Sequence, residues 1–95
     1  MKFLEKYDFN KEDIDALVSN SPKKLLDTIK EHKKLVGSNI NYLKELGVKN
    51  YKEIFLQFYD MFLMDNSNFV EVFSKYDRED LIDKLEKNIS IVEYL

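Results

Sequence analysis

Ninety-five residues, a formal net charge of −3 and no cysteine describe one domain large enough to bury a core. The absence of cysteine excludes disulfides, thiol nucleophiles and thiolate metal sites together, and points to a reducing, cytoplasmic setting. Two glycines and one proline leave little room for long loops or hairpin turns, and the mildly acidic balance argues against a chain devoted to nucleic acid.

Phe3, Leu4 and Tyr7 open the chain with a short helical turn. A helix over Lys11–Ser19 follows, with Ile14, Leu17 and Val18 apolar and Asn10 as its cap. Ser21-Pro22 starts the next, with serine at the cap and proline at the first helical position, where its missing N–H costs nothing. From there Leu25, Ile29, Val36, Ile40 and Leu43 recur at helical spacing, with His32 filling the gap on the apolar side. That predicts one long helix, kinked or split at Gly37-Ser38. Leu46-Gly47-Val48 is its stop, because Gly47 can take the left-handed conformation with an apolar residue just after it. Over Tyr51–Met64 apolar side chains cover nearly the whole circumference, as in a central, buried helix. Asp65-Asn-Ser-Asn68 is a turn rich in caps. Phe69, Val72, Phe73 and Tyr76 then share one face of a short helix. Asp77 caps a helix to Lys87, Asn88-Ile-Ser90 breaks it, and Ser90 caps a last segment, Ile91–Leu95.

One helix-start pattern occurs three times: a cap (Asn10, Asn50, Asp77), an acid three residues on (Asp13, Glu53, Asp80), then an aliphatic (Ile14, Ile54, Leu81). The cap accepts from an orphan N–H, and the acid faces the positive helix end. The expected fold is all-α: about five short helices in a compact bundle or short repeat-like array around Tyr51–Met64, forming a single domain over residues 1–95. No stretch approaches the ~20 apolar residues a membrane span needs.

Leu43-Lys-Glu-Leu-Gly-Val48 followed by Tyr51-Lys-Glu-Ile54 resembles the start of a repeat in the mitochondrial transcription termination factor family, whose units run L-x-x-L-G-apolar and then a helix. Asn20-Ser-Pro22-Lys-Lys-Leu-Leu26 is similar to that family's x-P-x-L-L step, and Glu79–Leu85 stands where a third unit would open. The starts are forty and then twenty-seven residues apart, and the later units lack the proline. The resemblance implies a curved helical array that holds double-stranded nucleic acid through basic residues on the helix carrying Lys23, Lys30 and Lys34.

The sequence offers no catalytic or metal-binding constellation and implies no cofactor. His32 has no second histidine or carboxylate at ligand spacing and reads as a half-buried packing residue. Asp65–Glu71 has the oxygens of a calcium loop but lacks its turn glycine and terminal glutamate. The acid pairs Glu12/Asp13 and Glu79/Asp80 sit in first helical turns, which accounts for them without chemistry. Two surfaces remain. Lys23, Lys30 and Lys34 project from one side of a helix as candidate nucleic-acid or anion contacts, set against a solvated face laced with pairs such as Lys23–Asp27. Phe55, Phe58, Tyr59 and Phe62 form a candidate apolar face for a partner, set against simple core packing. The expected function is a non-enzymatic interaction or regulatory module that binds a protein partner or a second copy. The alternative is nucleic-acid binding through the lysines.

Overall fold

The computed structural model describes residues 1–95. It contains no strand; in chain order it runs η1 (Lys2–Tyr7), α1 (Lys11–Asn20), α2 (Lys23–Glu31), α3 (Lys33–Leu46), α4 (Tyr51–Phe58), η2 (Tyr59–Leu63), α5 (Asn66–Ser74), α6 (Arg78–Lys87) and η3 (Ile89–Tyr94), where η marks 3-10 segments. The all-α reading holds, with six α-helices in place of about five. No helix is long and apolar enough to cross a membrane. The radius of gyration, 12.8 Å, is that of a well-packed chain of this size, about 13 Å.

The hub is α3, not the aromatic segment Tyr51–Met64. It packs against η1, α2, α4, η2 and α5, and its Val36, Ile40 and Leu43 are fully buried. The long helix expected from Pro22 breaks at His32 (φ −109°, ψ 31°), not at Gly37-Ser38. The apolar stripe explains the position. Leu26 and Ile29 are buried, and the next positions on their face are His32 and Lys33, both exposed, so nothing there gains from staying in register. His32 is therefore a junction residue on the surface and not a half-buried packing group. Gly37 stays helical because it is needed for another purpose. A Cβ there would lie 2.5 Å from the Tyr7 hydroxyl oxygen, so its bare backbone is what lets η1 lie on α3.

The aromatic segment also divides. Helix α4 ends at Phe58 (φ −128°, ψ 40° at that residue), and a 3-10 stretch carries the chain on. An unbroken α-helix would turn apolar groups to every side. The tighter winding brings Phe62 into the core, 5.0 Å from the Phe55 ring and 5.1 Å from Phe69. Those contacts belong to an aromatic spine running Tyr51, Phe9, Phe55, Phe62, Phe69, Phe73 with successive ring centroids 4.8–6.3 Å apart. Each such pair adds about 0.5–1.5 kcal/mol beyond area burial. Tyr76, expected on the inner face of α5, is exposed instead, as is Val18 on α1.

The three similar helix starts end differently. Asn10 and Asp13 form a reciprocal capping box (2.8 and 3.1 Å), and Asp77 accepts from the Asp80 N–H. Asn50 caps nothing: its amide donates 2.9 Å to the Leu85 carbonyl on α6. Ser21 does not cap α2 either. Pro22 takes the cap position, its carbonyl accepting from Leu25 and Leu26, and the Ser21 hydroxyl has no partner. At the last segment Asn88, not Ser90, supplies the cap. The stop at Gly47 is as expected (φ 102°): Val48 N–H donates to the Leu43 carbonyl and Gly47 N–H to that of Lys44. The same double bond closes η1, where Asp8 takes the left-handed place (φ 69°) and Phe9 the buried apolar one.

Candidate functional site

Docking η1 beside the α2–α3 junction concentrates lysine. Lys2, Lys6, Lys33 and Lys34 surround Phe3 and Tyr7 in a cleft of about 490 Å³. An adjoining cleft of about 240 Å³ is lined by Lys2, Phe3, Lys30 and Lys33. No carboxylate lines either cleft. All five lysines are exposed. The ion pairs of the molecule lie elsewhere, at Lys44–Asp8, Lys84–Asp80 and Lys87–Asp83. The expected lattice of i,i+4 pairs on α2 is absent, Lys23–Asp27 included.

Of the three lysines singled out in the sequence, Lys30 and Lys34 line this surface. Lys23, at the start of α2, lines neither cleft. Lys2, Lys6 and Lys33 were missed. The four-residue spacing of Lys2 and Lys6 around Phe3 was visible, but only docking of η1 onto α3 brings it to the other lysines.

The candidate apolar face divides in the same way. Phe55 and Phe62 are fully buried in the spine and offer nothing to a partner. Phe58 and Tyr59 are half-buried. Phe58 lines a shallow groove of about 380 Å³ with Met61, Met64, Val72, Val92 and Leu95, and Asp60 and Glu93 stand at its edge. Tyr59 lines a separate depression between α1 and α4 with Leu17, Ser21 and Leu56.

Two polar clusters hold these surfaces in place. Asn39 is fully buried on α3. Its amide donates to the carbonyls of Phe62 (2.8 Å) and Met64 (2.9 Å), and its oxygen accepts from the Asn66 amide (2.9 Å). This role is not legible from the residue pattern, because asparagine inside a helix reads as an outward polar position. The second cluster fixes the end of η1. Asp8 pairs with Lys44 at 2.8 Å; the Tyr51 hydroxyl donates to the Tyr7 carbonyl at 2.7 Å and Lys52 to the Asp8 carbonyl at 3.2 Å. The hydrogen bond and charge of Lys44 hold the Asp8 carboxyl below the usual aspartate range, and the same bond raises Lys44. Burial, with the negative Asp8 nearby, pushes the Tyr51 hydroxyl up.

Of the acid pairs, Asp13 closes the capping box on Asn10, the Asp80 carboxylate pairs with Lys84 at 3.0 Å, and Glu12 and Glu79 stand exposed in first helical turns. Asp65 caps α5 by accepting from the Ser67 N–H. No three His, Cys, Asp or Glu residues converge as a metal-binding group would, and the exposed His32 has no carboxylate hydrogen-bonded to it. Comparison with protein-family models, curated proteins and solved structures finds no match to this chain, so the termination-factor resemblance rests on its short motifs alone.

Proposed function

We propose that this chain is a non-enzymatic binding module whose working surface is the lysine cleft between η1 and the α2–α3 junction, and that its partner is nucleic acid. One observation carries the reading. Five exposed lysines meet around two adjoining clefts with no lining carboxylate and no internal ion pair. Like charges placed together oppose folding slightly, so a surface of this kind is explained by an anion that neutralises it. Phosphate contacts of this type position a strand without reading its sequence.

Fluorescence anisotropy of short labelled DNA and RNA tests this. Binding is expected at low salt and is expected to weaken steeply between about 50 and 200 mM. Lys30→Glu with Lys34→Glu should abolish it, and Lys23→Glu should change it far less. Absence of binding at low salt removes the reading.

A second reading has its own support. The groove at Phe58, Met61, Met64, Val72, Val92 and Leu95 gathers apolar side chains from α4, η2, α5 and η3, with Phe58, Met61, Met64 and Val72 only half-buried. An interaction module using it would bind a protein or a second copy. Concentration-dependent sedimentation, abolished by Met61→Glu, tests it.

A further inference from the structure

We infer that the lysine cleft takes single-stranded nucleic acid in preference to duplex, with a base stacked on Phe3. This rests on the nucleic-acid reading above and adds the form of the ligand.

Phe3 is common to both clefts, half-buried, and bordered by Lys2 and Lys33 in both, by Lys30 in the smaller and by Lys6 and Lys34 in the larger. Seven aromatic pairs run through the core, and Phe3 belongs to none of them. An aromatic ring without an aromatic partner, set among unpaired cations in a concavity, is the combination that single strands use. Lysines track the backbone while unstacked bases lie on the ring.

Acidic peptides would use the lysines alone and leave the ring only its packing against the core. A bilayer surface is flat and would not follow a cleft. Duplex DNA offers no free base face, and it spreads its phosphates over a broad surface. Here the chain as a whole stands at −3, so the surface outside the cleft is more acidic still. A duplex reaching beyond the cleft would meet repulsion, whereas a single strand can stay within it.

The test uses the full chain with a labelled oligothymidylate of about 15 nucleotides, a hairpin duplex of similar charge, and polyglutamate as competitor. The single strand should bind at least about tenfold tighter than the duplex, with a log–log salt slope no steeper than about −3.5, five phosphates at −0.7 each. Phe3→Leu keeps an apolar group against the core and removes the ring. It should weaken single-strand binding at least about fivefold and leave the salt slope and duplex binding unchanged. Ultraviolet crosslinking of a 5-iodouracil strand, mapped by mass spectrometry, is independent of any variant and should place the adduct on Phe3. Equal or tighter duplex binding, an unaffected Phe3→Leu, or adducts confined to other elements overturns the inference. In those cases lysine-dependent binding would remain and the wider reading would stand. No binding of any strand, or polyglutamate competing as well as DNA, removes both.

Discussion

The α3–η2–α5 seam and the face between η1 and the α2–α3 junction treat polar groups in opposite ways. In the seam, one buried amide makes three hydrogen bonds and no part of Asn39 is left unpartnered. On the face between η1 and the α2–α3 junction, five ammonium groups stand together without an ion pair. Satisfied buried polar groups specify a fold; unpaired surface charge contributes nothing to it. The contrast therefore separates residues retained for architecture from those free to serve a ligand.

The sharpest way to break the comparison is at the seam's aromatic neighbour. Phe62→Ala should cost about 3–5 kcal/mol in urea unfolding, and Phe58→Ala, half-buried four residues earlier, distinctly less. Equal losses would mean that Phe62 is not in the core. Asn39→Leu comes next. It leaves the Phe62 and Met64 carbonyls without their donors; the buried Phe62 acceptor so abandoned costs about 1–3 kcal/mol, and the part-buried Met64 acceptor less. A neutral result would show that the amide does not hold the seam. On the other face, Lys30→Glu with Lys33→Glu should shift stability by no more than about 0.5 kcal/mol while binding of nucleic acid disappears. A large loss of stability there would place these lysines with the architecture.

The smallest effect concerns pH. Asp8 is held below its ordinary pKa by Lys44, so its contribution is present above about pH 4 and is lost as pH falls through the lowered value. Lys44 is raised, so its part persists through neutral pH and is lost only on the alkaline side. Both groups are exposed, and screening keeps the gain small. An NMR titration of the Asp8 carboxyl should show its midpoint rising in Lys44→Met. An unchanged midpoint would detach the pair.

Local features were legible in the sequence. The box at Asn10, the cap at Asp77 and the stop at Gly47 each depend on groups within a few residues, and each is present. Asn50 carries the same letters and behaves otherwise because α6 brings the Leu85 carbonyl within reach, an event no local pattern encodes. The left-handed turn at Asp8 was missed for the opposite reason: its bonds are local, but aspartate occupies the place where glycine is the usual sign. The break at His32 was misplaced to Gly37 because the glycine's use, admitting Tyr7, depends on an element thirty residues away. The lysine cleft was half legible on the same grounds. Lys30 and Lys34 lie near each other along the chain, whereas Lys2 and Lys6 reach them only after docking.

The reach of the Asn39 amide also has a consequence in time. Its partners lie 23 to 27 residues further along the chain, so during refolding the amide stays hydrated until η2 and the start of α5 arrive. Interactions completed after the rate-limiting barrier slow escape from the native state and do not hasten its formation. With these bonds closed after that barrier, Asn39→Leu leaves the refolding arm of a denaturant chevron nearly unmoved and raises the unfolding arm, and the amide is a latch on the lifetime of the folded molecule; a slowed refolding arm would place it in the folding nucleus instead.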